Sequence, residues 1–124
     1  MPLYNTATTA SALGVNPKWL DNLLSHNDLD GPPGVTQGVA RRLSLASVLI
    51  IALSRDLAES LGIPSGAALT LATRILETQL GEMQLSPSLR LVVDLDALRT
   101  HILANLARAV EVAPTPRRGR PPKR

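Results

Sequence analysis

Thr6-Ala7-Thr8-Thr9-Ala10-Ser11-Ala12-Leu13-Gly14-Val15-Asn16-Pro17-Lys18-Trp19-Leu20-Asp21-Asn22-Leu23-Leu24-Ser25-His26 is the stretch on which the reading of this chain turns. Residues 6–13 predict a short helix, capped by Thr6 and stopped at Gly14, which takes a left-handed C′ position without a Cβ penalty. Val15 is expected to be a buried turn residue. Asn16 then caps a second helix, and Pro17 falls at its first position, where the missing N–H costs nothing. That helix runs to about His26, with Leu20, Leu23 and Leu24 on one face. Two short helices joined by a tight glycine-containing turn make a helix-turn-helix candidate; a purely structural helical hairpin is the plainer alternative.

Outward from this pair, turn-formers dominate Asn27-Asp28, Gly31-Pro32-Pro33-Gly34 and Gly38. Val35 and residues 39–43 are able to form short strands between them, so a small hairpin, a wing, is expected. Ser44 caps a third helix over 45–61, ended by Gly62 and Ile63-Pro64. Residues 48–53 are apolar on nearly every side, which makes this the central core helix. Ser65 caps a fourth helix, from Gly66 to about Leu80, ended by Gly81. After Ser86-Pro87-Ser88, the residues Leu89, Leu91, Val93 and Leu95 alternate with Arg90, Val92 and Asp94 as in a half-buried strand. Asp94 or Asp96 caps a last helix to about Glu111. The expected fold is mainly α: a winged helix-turn-helix over 1–63, a helical and strand region over 64–112, and a tail over 113–124. Pro114, Pro116, Gly119, Pro121 and Pro122 leave that tail nothing helical to form and nothing to bury.

A lone strand leaves a row of backbone N–H and C=O groups unpaired. The economical partner is the same strand of a second subunit across a twofold axis, so a homodimer through 64–112 is expected. Leu89, Leu91, Val93 and Leu95 would there meet Leu98, Ile102, Leu103 and Leu106.

The 124 residues suit one compact domain with a tail, and 44% hydrophobic content excludes wholesale disorder. With no cysteine, disulfides and thiolate zinc sites are excluded. The apolar run 46–53 is far too short to span a membrane, and Met1-Pro2-Leu3-Tyr4-Asn5 lacks the basic start of a secretory signal. A cytoplasmic, nucleoid-associated protein is expected. His26 and His101 lie in different helices without carboxylates at ligand spacing, so no metal is expected. Asp94-Leu95-Asp96 reads as a strand end running into a cap. Gly62-Ile63-Pro64-Ser65-Gly66 is a helix–helix turn, because no Gly-Lys-Ser/Thr follows. No nucleophile motif is present, and neither enzymatic activity nor a cofactor is expected.

The formal charge is +3, but Arg117, Arg118, Arg120, Lys123 and Arg124 carry +5 in the tail, leaving −2 on residues 1–113. A near-neutral body with a concentrated basic tail suggests a polyanion partner, unless the tail merely solubilises. With its leucines buried, the second helix exposes Lys18, Trp19, Asp21, Asn22, Ser25 and His26. A recognition helix uses such outward residues to reach base edges in the major groove. Asn22 suits adenine, Lys18 a guanine or a phosphate, and Asp21 a cytosine amino group. The N-termini of both short helices offer N–H groups to phosphates, with Thr8, Thr9 and Asn16 nearby.

Residues 8–15, followed by Asn16-Pro17-Lys18-Trp19-Leu20, resemble the opening of MerR-type (mercury-resistance regulator) and excisionase-like winged helices. Arg41-Arg42-Leu43-Ser44 and Leu61-Gly62 continue the resemblance, which covers about residues 4–76. It implies a DNA-binding winged helix in which Arg41 or Arg42 contacts the backbone from the wing. The family usually has an aromatic residue where Leu43 stands. No counterpart of its effector domain follows, so no small-molecule or metal sensing is implied. Arg117-Arg118-Gly119-Arg120-Pro121-Pro122-Lys123-Arg124 resembles an AT-hook, whose core is Arg-Gly-Arg-Pro. Glycine lets the backbone lie flat in a narrow groove while arginines reach along it, and A·T tracts supply that groove.

The expected function is sequence-specific binding of double-stranded DNA in transcription regulation, most simply as a homodimeric repressor acting by occupancy. The alternatives are an architectural role, in nucleoid organisation or phage-type recombination, and an antitoxin-like protein-binding module.

Overall fold

The computed structural model describes residues 3–26 and 42–112. Over these the protein is mainly helical, with five helices and two small antiparallel sheets. In chain order the elements are β1 (Leu3–Asn5), α1 (Thr6–Leu13), α2 (Pro17–His26), β2 (Arg42–Ser44), α3 (Leu45–Leu61), α4 (Ser65–Thr78), β3 (Glu82–Ser86), β4 (Leu89–Val92) and α5 (Leu95–Val112). The expected wing between 27 and 41, with Arg41, and the hook-like tail lie outside the described residues.

α3 sits at the centre, as its sequence requires. Val48 and Ile51 are fully buried, and Leu49, Ala52, Leu53 and Leu57 nearly so. One core cluster joins α3 to Leu13 of α1, Leu20, Leu23 and Leu24 of α2, and Ile102, Leu106 and Ala109 of α5. A second joins Leu53 and Leu57 to Ala68, Ala72 and Ile75 of α4. The two alanines are fully buried, and their small side chains let α3 and α4 approach closely. Ile50, Leu76 and Leu98 touch both clusters. A boundary at 63/64 therefore cuts through a shared core, because α5 returns across it to pack on α1. Asn105 Nδ2 marks that return by donating to the Ala12 carbonyl at 3.2 Å.

The helix punctuation is mostly as the sequence dictates. Gly14 is left-handed at φ 68°, and the Val15 N–H reaches back to the Ala10 carbonyl at 3.0 Å, the six-to-one bond of a Schellman turn. Gly62 closes α3 at φ 70°, with its N–H on the Ala58 carbonyl at 2.9 Å. Ser44 caps α3 through the Ser47 N–H, and Asp94 accepts from the Ala97 N–H at 2.9 Å at the start of α5. Two caps differ. Asn5, not Thr6, caps α1, its Oδ1 accepting from the Thr8 N–H at 2.7 Å. Pro64 stands at the N-cap of α4 with no side-chain bond, so Ser65 is the first helical residue. α4 then stops at Thr78, because Gln79 turns left-handed at φ 60°.

The strands depart further from expectation. β2 pairs with β1, Tyr4 opposite Leu43 and Asn5 opposite Arg42, a pairing that the sequence reading did not include. Burial of Leu43 is the reason: the pairing carries its side chain into the core. Nor is the strand after Pro87 alone. Glu82–Ser86 pairs with Leu89–Val92 as a hairpin, Met83 opposite Leu91, with a register shift between Gln84 and Ser86. The strand thus has a partner in its own chain, and an unpaired strand does not call for a homodimer. Leu95 belongs to α5, and Ile102 and Leu106 are buried inside the protomer, so neither lies on a dimer surface. Leu91, Val93, Leu95 and Leu98 pack against the second cluster, while Leu89 and Leu103 remain exposed.

At the base of the hairpin the Val93 N–H donates to the Gly81 carbonyl at 2.6 Å. Gly81 is left-handed at φ 75°, and an added Cβ would collide with the Val93 carbonyl oxygen. Gly66, in the first turn of α4, has nothing within 4 Å of a built Cβ. Gly81→Ala is expected to lower stability by roughly 1–3 kcal/mol or more. Gly66→Ala should leave it unchanged or raise it by up to about 1 kcal/mol. Urea unfolding midpoints of the two variants check both, and equal midpoints would contradict the hairpin geometry.

Candidate nucleic-acid interface

The turn from α1 to α2 sets the outward face of α2. Once the Schellman bonds at Gly14 and Val15 close α1, Asn16 takes the cap of the next helix, its Oδ1 accepting from the Lys18 N–H at 2.7 Å. The new axis is therefore fixed within three residues of the old one. α2 turns Leu20, Leu23 and Leu24 into the core, and Leu20 is fully buried. Burying one such leucine contributes roughly 1.5–3 kcal/mol, enough to set the rotation of a ten-residue helix.

That rotation leaves Lys18, Asp21, Asn22 and Ser25 exposed. Lys18, Asn22 and Ser25 follow one another at i, i+4 and i+7, with Asp21 beside them. At 1.5 Å per residue the row spans about 10 Å along the helix axis. The row offers an ammonium, an amide, a carboxylate and a hydroxyl. Ser25 Oγ donates to the Asp21 carbonyl at 2.8 Å, which leaves its oxygen outward as an acceptor. Lys18 and Asp21 cancel in charge, so the face has hydrogen-bonding variety without a net field.

The other expected contacts divide. Asn16 and Arg42 are exposed, Arg42 on β2 opposite Asn5. Thr8 and Thr9 are buried, contrary to the expectation that they stand beside a phosphate. Thr9 Oγ1 donates to the Asn5 carbonyl at 2.9 Å, and the Thr8 N–H is already taken by the Asn5 cap. Trp19 is half-buried rather than exposed, because it lies one turn before Leu23 and widens the apolar stripe of α2 to 19, 20, 23 and 24. Its ring lines a cleft of about 340 Å³ together with Val15, Asn16, Arg55 and Glu59. The Arg55–Glu59 ion pair there, at 3.3 Å, is a helix i,i+4 pair on α3. His26 ends α2, and its side chain, like Arg41 and residues 117–124, lies outside what the structure describes.

Two residues at this end of the molecule escaped sequence reading. Asn5 was legible in principle, since asparagine outranks threonine as a cap. Arg55 carried no signal, because only the fold brings α3 beside the α1–α2 turn. Among the described residues no group of three or more acidic or histidine side chains could hold a metal ion. No helix among them is long and apolar enough to cross a membrane. Comparison with protein-family models, with curated sequences and with solved structures finds no significant match to this chain.

Asn16→Ala is expected to cost roughly 0.5–2 kcal/mol by uncapping α2, whereas Asn16→Asp keeps the acceptor and most of the stability. Chemical unfolding of the pair checks this, and equal losses would remove the cap from the account.

Proposed function

We propose that this chain is a DNA-binding regulator, in which α1 and α2 form the helix-turn-helix of a winged helix and α2 reads the major groove. The observation that carries the reading is the α2 row. A turn of three residues presents Lys18, Asn22 and Ser25 along one exposed line while the leucines behind them are locked into the core. Such an arrangement lets base edges be read by side chains whose backbone cannot shift. Asp21 restricts which bases are accepted, since a carboxylate tolerates a cytosine amino group and repels acceptor edges.

Affinity comes from elsewhere on the chain. With −2 on residues 1–113 and +5 on the tail, the tail is the source of phosphate neutralisation, and its Arg118-Gly119-Arg120-Pro121 core suits an A·T-rich minor groove. Acting as a homodimer, the protein would bind an inverted repeat and repress by occupancy. The charge split also favours a second reading, an architectural protein whose tail dominates. Footprinting separates them: a short palindrome supports the regulator, and long unspecific coverage supports the architectural role.

Two outcomes test the proposal. Deleting residues 117–124 should flatten the slope of log K against log salt by roughly 2–4 units and leave sequence preference largely intact. An unchanged slope would remove the hook. Lys18→Ala combined with Asn22→Ala, both exposed, should abolish discrimination between a selected duplex and its scrambled version in competition binding. Full discrimination by that double variant would overturn the assignment of α2.

A further inference from the structure

Four of the eight exposed large apolar side chains among the described residues fall between 80 and 92. Leu80 is 78% exposed, Val92 64%, Leu89 55% and Leu85 40%. All lie on or beside the β3–β4 hairpin, whose inner residues Met83, Leu91 and Val93 pack on the second core cluster. A two-stranded sheet is marginal by itself, and its edges are templates for another strand.

The two edges are not alike. β3 carries the register shift at Gln84 and Ser86. A bulge is one of the devices that blunt a strand edge. Among the described residues β4 has none. The Val93 N–H points inward to Gly81, so strand alternation points the backbone groups of Leu91 toward β3 and those of Arg90 and Val92 away from it. Among the described residues no strand lies on that side of β4. The one charge on the edge, Arg90, is turned to Glu82 of its own hairpin at 3.6 Å.

We infer that β4 pairs antiparallel with β4 of a second copy of this chain, about a twofold axis at Leu91, to give a four-stranded sheet. The occupant is set by the chemistry of the patch. Glu82 and Arg90 carry one charge of each sign, so the surface gives neither a polyanion nor a polycation a handle, while a copy of itself matches it in charge and hydropathy. Centring the axis on Leu91 places Arg90 opposite Val92 of the second copy, in a row with that copy's Glu82. The open N–H and C=O groups of Arg90 and Val92 are satisfied in both directions, and the aliphatic stem of Arg90 covers an exposed valine. The pairing gives the proposed regulator its dimer, yet it does not depend on α2 reading DNA, so its failure leaves that reading standing.

Light scattering of the full chain at tens of micromolar should return twice the 13.2 kDa chain mass. Val92→Glu, at a site already exposed in the protomer, should halve that mass while the thermal melt stays cooperative. Leu103→Glu, on the exposed side of α5, should leave the dimer intact. A native chain that is monomeric at that concentration overturns the inference, as does a Val92→Glu variant that stays dimeric, or dissociation by Leu103→Glu. Amide exchange on the unmutated protein gives a second readout, independent of how any variant folds. The Arg90 and Val92 amides should exchange more slowly as concentration rises, and exchange that is fast at every concentration contradicts the pairing.

Discussion

α3 has no polar side through its middle, and that single constraint organises the protein. Residues 48–53 must be covered from every direction, and no one neighbouring helix can do it. α1 and α2 cover one flank, α4 another, and α5 crosses back over residues 64–94 to close the remainder. The short helices are poor helix-formers by length, since eight to ten residues are marginal in isolation. They persist because α3 gives their leucines somewhere to go. The exposed row of α2 is thus a by-product of core burial: fixing Leu20, Leu23 and Leu24 fixes the side chains opposite.

Division of labour follows from where charge can be placed. A helix packed against an apolar core has only half its circumference to spend on polar groups, and α2 uses that half for variety rather than for net charge. Non-specific attraction to phosphates scales with the number of cations, and the described residues carry seven Lys and Arg against eight Asp and Glu. On the proposed reading such a chain draws on a separate electrostatic element, and the basic residues after 116 would be its source.

Much of the fold is legible in the sequence because its signals are local. Gly14 and Gly62 declare the ends of their helices through backbone freedom, Pro17 and Ser44 declare the starts, and the leucine spacing of α2 declares its buried face. What escapes reading is non-local. β1 is defined by its pairing with Arg42–Ser44, about forty residues away, which no local pattern signals. β3 is masked by Glu82, Gln84 and Ser86, polar on the face that the hairpin leaves in water, with a bulge breaking the alternation that would have marked it. Trp19 is misplaced by one helical position, which is the difference between the edge of an apolar stripe and the face beside it. Thr8 and Thr9 look like phosphate ligands by composition, but a buried hydroxyl can bond its own helix, as Thr9 does with Asn5.

The central claim is that the face of α2 carrying Lys18, Asp21, Asn22 and Ser25 meets DNA. Its most direct test is residue-resolved NMR of the full chain titrated with a duplex selected from a random pool. Amide and side-chain shifts should move along that row and at the Asn16 cap, while Met83, Leu91 and the α4 side of the hairpin stay still. Shifts confined to the tail, or centred on α4 and the hairpin with α2 silent, would contradict the account.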